Sequence, residues 1–186
     1  MRPITILYGT ETGNAEDCSE DLARILKTDG YDCRVLDMED YDVNELALER
    51  LLTIVTSTYG NGEPPSNADI LLSHLTNDKP TLEGMPFAVC GLGDTSYPLF
   101  SQCGKDFDRI LGELGGHRVI ERVDCDYDFD EPFEEFSNNL RNFLSAHPDK
   151  YPKKAKTETA TETTNVEVKV EAASETKKSM WNIFSR

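Results

Sequence analysis

Apolar residues recur with two different periods along the first 150 positions. Five short segments are dense in β-branched and aromatic side chains and read as strands: 3–9 (PITILYG), 31–37 (YDCRVLD), 51–58 (LLTIVTST), 86–93 (PFAVCGLG) and 117–124 (HRVIERVD). The third and fourth are nearly continuous apolar runs, as strands covered on both faces should be. Between them lie stretches of helical period. The first spans 14–27, with Cys18, Leu22, Ile25 and Leu26 on one stripe, and others follow at 68–75, 100–114 and 132–144, with a shorter one at 44–49. Strands alternating with helices imply right-handed crossovers and an α/β fold, a doubly wound parallel sheet. Ligands of such sheets lie beyond the carboxyl ends of the strands, where the strand order switches.

The pattern stops near position 150. Residues 153–178 (KKAKTETATETTNVEVKVEAASETKK) contain no aromatic residue and few large aliphatics, too little apolar surface to offset chain entropy. The sequence therefore predicts a folded domain over 1–150 and a disordered linker or tail over 151–186, closing on SMWNIFSR with Trp181, Ile183 and Phe184. Charge divides at the same place. Residues 1–150 carry 12 Lys+Arg against 30 Asp+Glu, a net −18, whereas 151–186 carry 7 against 5, within a total of −16. Such a polyanion is unsuited to nucleic acid or an anionic membrane and suited to a positively charged protein partner. No stretch approaches the roughly 20 apolar residues of a membrane span, and MRPITILYG is too short and too quickly polar for a secretory signal, so a cytoplasmic location is expected. Five widely spread cysteines, away from the three histidines at any ligand spacing, predict reduced buried thiols and no metal site.

Candidate chemistry sits in three loops that follow strands. GTETGNA joins the first strand to the first helix, so Thr10, Thr12 and Asn14 can donate side-chain hydrogen bonds while the helix dipole faces an anion. Thr12 or Asn14 could equally serve as a plain helix cap. The loop has no lysine, no Walker spacing and no G-x-G-x-x-G, which favours a small monophosphate over a nucleoside triphosphate or dinucleotide. STYGNGEPPSNA follows the third strand and GLGDTSYPLF the fourth, each presenting a tyrosine beside glycines, Tyr59 and Tyr97. Together the loops describe a slot for a flat ring with a phosphate tail.

The stretches TETGNA, STYGNGEPPSNA, FAVCGLGDTSY and CGKDFD, in this order and spacing, resemble the flavodoxin-like FMN module of the diflavin reductases, above all the sulfite reductase flavoprotein and the reductases of haem monooxygenases. The resemblance implies a five-stranded sheet in the order 2-1-3-4-5 with helices on both faces. It implies that Thr10, Glu11, Thr12, Gly13, Asn14 and Ala15 hold the FMN phosphate and that Tyr59 and Tyr97 flank the ring. Gly60 would offer a peptide carbonyl to the flavin N5 nitrogen, Leu92, Gly93 and Asp94 would border the ring, and Asp126 would stand at its outer edge. Ser57, Thr58, Asn61, Gly62 and Gly91 complete the implied cofactor-binding set, which contains no catalytic side chain and no metal ligand. Asp94, Asp124, Asp126 and Asp128 would disfavour an anionic flavin. The implied function is single-electron transfer from an FAD/NADPH reductase to a haem or iron–sulfur protein, through an acidic surface. An equivalent module within an NADPH-dependent diflavin reductase, an NAD(P)H–quinone reductase, and a non-redox binding scaffold are the alternatives.

Overall fold

The computed structural model describes residues 1–154. The central sheet is parallel, in the order β2-β1-β3-β4-β5, with β1 at Ile4–Gly9, β2 at Cys33–Asp37, β3 at Leu52–Ser57, β4 at Pro86–Leu92 and β5 at His117–Arg118; a further short strand, β6 at Val123–Cys125, also pairs with β4. Four helices cover it: α1 at Asn14–Thr28, α2 at Asp69–Asn77, α3 at Gln102–Glu113 and α4 at Asp130–Ala146. Alternate strand residues feed two cores. Ile4, Ile6, Val55, Ala88 and Cys90 pack with Leu22 and Leu26 of α1 and Phe136, Leu140 and Leu144 of α4. On the opposite face Leu7, Leu52, Ile54, Phe87 and Val89 meet Leu71 and Leu75 of α2 and Phe107 and Leu111 of α3. Period-2 alternation thus persists inside the continuous apolar runs, because each face has its own helical layer.

The expected fifth strand is not one strand. Phe87 registers with Arg118 and Cys90 with Val123, so the edge chain carries two more residues than β4 between these pairs and bulges outward over 119–122. A charge cluster sits at this bulge. Asp108 of α3 accepts from Arg118 Nε at 2.6 Å and Nη2 at 2.9 Å and from Arg122 Nη1 at 2.8 Å, while Arg122 Nε also reaches Asp124 at 2.8 Å. The extra chain brings both guanidinium groups within reach of one carboxylate. The Asp108 side chain is 8% exposed against 37% and 25% for its arginines. Asp108→Ala is therefore expected to lower stability by about 2 kcal/mol, below the 3–5 kcal/mol of a fully buried pair because the arginines keep solvent. Chemical unfolding measures it; an unchanged midpoint would show the arginines re-solvating without cost.

The expected helix at 44–49 is a 3-10 turn over Val43–Leu48, capped by the Asp42 carboxylate, which accepts from Asn44 N at 3.0 Å. The packed structure also runs past position 150, where the linker was placed. Tyr151 is only 3% exposed within the α1/α4 core, and Lys154 N donates to Gly30 O at 2.7 Å. The expectations for the segment ending in Trp181, Ile183 and Phe184 lie outside the described residues. All five cysteines are free and buried, and burial pushes the Cys18 and Cys103 thiols up to about 12, where they are inert.

Candidate functional site

A cleft of about 400 Å³ opens at the carboxyl ends of β1, β3, β4 and β6, the position expected for a doubly wound sheet. Its first wall is the turn from β1 into α1. Gly13 takes the left-handed conformation (φ 95°) that this abrupt entry requires and, as the N-cap residue, brings no side chain to cap the helix. Thr12 and Asn14 line the cleft beside this uncapped helix end, the arrangement of an anion cradle. Thr10 is not among the lining residues. Its hydroxyl accepts from Gly13 N at 2.9 Å and its N–H donates to Asn67 Oδ1 at 2.9 Å, while the Asn67 amide holds Asp37 at 3.0 Å. Thr10 thus shapes the loop rather than lining the cleft. Ala15 is buried beneath it, and Glu11, which does line the cleft, also ties the loop to the next one by accepting from Ser66 N at 2.5 Å.

The second wall, from Ser57 to Glu63, is a tight reversal. Tyr59 N donates to Glu63 O at 2.9 Å, and Tyr59 O accepts from Gly62 N at 3.1 Å and Glu63 N at 2.9 Å. Gly60 sits in the left-handed region (φ 53°) at its tip. Thr58 is pinned between Leu92 O, to which its N–H donates, and Cys103 N, from which its hydroxyl accepts at 3.1 Å. Ser57, Thr58, Tyr59 and Gly60 line the cleft; Asn61 and Gly62 do not, and Gly62 instead passes close against Leu99 of the neighbouring loop.

The third wall runs from Leu92 to Ser101. Gly93 N donates to Cys125 O at 2.9 Å, and Asp94 folds the loop by accepting from Tyr97 N on its carbonyl and from Ser96 N on its carboxylate. Asp126 closes the rim: its carboxylate accepts from Thr95 N at 2.9 Å, Thr95 Oγ1 at 2.6 Å and Tyr127 N at 2.8 Å. Those bonds, led by the Thr95 hydroxyl, hold the Asp126 carboxyl below its ordinary range. Leu92, Gly93, Asp94, Tyr97 and Asp126 all line the cleft, whereas Gly91 is buried against α3 and does not. Tyr59 and Tyr97 are 60% and 55% exposed, two aromatic faces left open at one cleft.

Five lining residues went unnoticed in the sequence: Leu99, Phe100, Ser101, Tyr127 and Phe129. Ser101 is fully buried, takes a left-handed backbone (φ 54°) just before α3, and leaves its Oγ without a partner. Tyr127 is 84% exposed beside Asp126. Its signal was an aromatic residue set between Asp126 and Asp128, two of the aspartates considered for their charge. Asp124 is spent on Arg122, so its charge is compensated rather than presented to a ligand.

These parts fit FMN. An uncapped helix end faces the place for a phosphate, open tyrosine rings face the place for a flat heterocycle, and an unpaired buried hydroxyl borders it.

The flavodoxin family profile matches residues 6–138. The sulfite reductase [NADPH] flavoprotein alpha-component of Bacillus subtilis (strain 168) is 45% identical over 145 residues, 77% of this chain and 24% of that protein. Its counterpart in Neisseria meningitidis serogroup B is 43% identical over 142 residues, 76% of this chain and 24% of that protein. The chain thus spans about a quarter of the length of these curated relatives. A solved flavodoxin of Streptococcus pneumonia TIGR4 superposes with a TM-score of 0.69 at 26% identity, covering 77% of this chain and 98% of that one. The C101S flavodoxin of Pseudomonas aeruginosa gives 0.62 at 30%, covering 74% and 98%. In sequence, strand order and superposition alike, the chain belongs to the flavodoxin family of FMN-binding electron-transfer proteins.

Proposed function

We infer that this FMN-binding electron-transfer domain receives electrons from an FAD-containing, NADPH-fed reductase and delivers them singly to a haem or iron–sulfur acceptor, as the corresponding module of a sulfite-reductase-type flavoprotein. The observation that carries this reading is the 45% identity to one such flavoprotein over 145 residues. Bound FMN supplies the capacity to carry one electron at a time. The protein's residues then have separable tasks. The uncapped start of α1, with Thr12 and Asn14, would hold the phosphate; Tyr59 and Tyr97 would flank the ring and exclude water; Gly60, free of a side chain at positive φ, would leave its peptide able to turn its carbonyl toward the ring. Asp94 and Asp126 at the rim disfavour negative charge on the ring. Among the described residues no helix is long and apolar enough to cross a membrane, and five free thiols agree with a reducing cytoplasm.

The acidic rim is the docking surface in this reading. Residues 1–150 carry a net −18, and Asp128 and Asp130 alternate in sequence with the cleft-lining Tyr127 and Phe129, just after the cleft-lining Asp126. Charge of one sign accelerates and orients encounter, within a Debye length of about 8 Å at physiological salt. The second-order rate of electron transfer to a basic partner is therefore expected to fall as salt rises. A variant with all three aspartates changed to asparagine should start slower and respond less. A rate flat with salt in both proteins would refute acidic docking, and a purified protein that retains no flavin absorption would refute the redox reading itself.

A further inference from the structure

The opposite end of the sheet carries a second concavity, of about 370 Å³, whose charge is the reverse of the domain's. It lies where the strands begin, between the residue run preceding β3, the first residues of β4 and β5, and the chain leaving α4. Six steps along β4, at about 3.3 Å each, put it roughly 20 Å from the FMN cleft. Arg50, His117, His147 and Lys150 line it together with the rings of Phe143 and Tyr151, and no Asp or Glu does. That is a local inversion in a domain where acids outnumber bases by more than two to one.

Arg50 is the informative member. Among the described residues every other arginine lies within 4 Å of a carboxylate: Arg2 with Glu45, Arg24 with Asp21, Arg34 with Glu45 and Glu49, Arg109 with Asp106 and Glu113, Arg118 and Arg122 with Asp108, Arg141 with Asp29. Among the same residues Arg50 has carbonyl partners only. Its Nε donates to Lys150 O at 2.9 Å, Nη2 shares that oxygen, and Nη1 has just a long 3.4 Å contact with Arg2 O. The guanidinium lies over the Tyr151 ring, 4.9 Å from its centroid, which fixes its plane. The carboxylate that acts on it, Asp32, is itself bound to Lys154 at 2.8 Å. Burial draws the Arg50 guanidinium down from its ordinary value, whereas carboxylate partners raise Arg34, Arg109, Arg118, Arg122 and Arg141. A partly desolvated guanidinium, oriented by a ring and lacking an anion, is the half of an ion pair that a ligand would complete.

We propose that this concavity is an oxyanion site, taking a small molecule that bears a phosphate or several carboxylates, with Arg50 as the anchoring cation, Lys150 and the two imidazoles around it, and Phe143 against the ligand's apolar part. The α4 carboxyl end alone would account for one or two basic residues nearby, because its dipole favours cations. It does not account for Arg50, which comes from the chain before β3 and leaves one guanidinium edge unused.

The site stands apart from the flavin reading and is tested separately. The FMN-loaded full chain is titrated with sodium phosphate, and in a second series with citrate, at ionic strength held constant with sodium chloride. The ring signals of His117 and His147 and the Arg50 side-chain N–H are followed by NMR. Saturable shifts confined to these groups are expected from at least one of the two anions, with flavin absorption unchanged. Arg50→Gln should weaken binding about tenfold or more, the effect of removing a charge-assisted hydrogen bond. Lys150→Gln, an exposed side chain whose loss leaves the core intact, should weaken it about threefold and decides the matter if Arg50→Gln does not fold. Shifts that track ionic strength rather than the anion, or that persist at full size in the folded variants, overturn the proposal. Loss of FMN from the purified protein would strike at the flavin reading and leave these signals to be read as before.

Discussion

Tyr97→Ala and Tyr59→Ala should each weaken FMN binding by about 1 to 3 kcal/mol, the range measured for aromatic stacking on nucleobases, which are planar heterocycles of comparable character. The structure isolates the effect unusually well. Both rings are more than half exposed and both line the cleft, so neither contributes much to either core. Truncation should leave the melting temperature of the flavin-free protein almost unchanged while flavin affinity falls about five- to 150-fold, a separation read by fluorescence titration alongside thermal unfolding. Phenylalanine at either position keeps the face and should keep most of the affinity. Unchanged affinity in both alanine variants would eliminate the tyrosine slot.

Gly104→Val should cost about 3 kcal/mol, the upper end for overpacking a core. A Cβ at position 104 would lie 2.8 Å from Gly91 Cα and 3.4 Å from Gly91 N, so helix α3 rests directly on the backbone of β4. Backbone cannot change rotamer to make room, and β4 is held by β3 on one side and by β5 and β6 on the other. The helix must lift, drawing Cys103 and Phe107 out of their contacts and shifting Phe100 and Ser101 at the cleft. Flavin affinity should therefore drop together with stability. Gly112→Ala on the same helix is the contrasting case: the nearest atom to its added Cβ is an Arg118 nitrogen at 3.9 Å, and relief of the glycine penalty should stabilise by about 0.5 to 1 kcal/mol. Denaturant midpoints of the two variants moving in the same direction would contradict this account of α3.

The parallel sheet and its binding end were legible because strand period, helix period and the composition of the loops all pointed one way. Loop composition placed Thr12, Asn14, Tyr59 and Tyr97 at one cleft, the family resemblance added Gly60, Gly93, Asp94 and Asp126, and the structure brings all of them to its lining. What escaped were roles that depend on partners distant in sequence. Thr10 and Gly62 stand in the same motifs as the lining residues, yet in the structure Thr10 N bonds to Asn67 and Gly62 packs against Leu99, away from the lining. Gly91 and the glycine of CGKDFD form one contact, visible only once β4 and α3 are laid together. The edge-strand bulge was hidden because HRVIERVD carries a convincing strand pattern, and the carboxylate that meets its arginines, Asp108, lies ten residues upstream of Arg118 on another element. Tyr151 was lost to a composition boundary that a single buried aromatic residue can override.

The three loops around the flavin position are fastened to one another as well as to the sheet: Glu11 to Ser66, Leu99 against Gly62, Thr95 to Asp126, Thr58 to Cys103. A container braced in this way changes shape little when the charge of its contents changes. The energy needed to rearrange the surroundings at each electron arrival or departure is then carried by a few soft coordinates, the Gly60 peptide and the two exposed rings, with solvent supplying the rest. On the proposed reading, electron hand-off from such a domain would depend more on how it meets its partner than on rearrangement of its own interior.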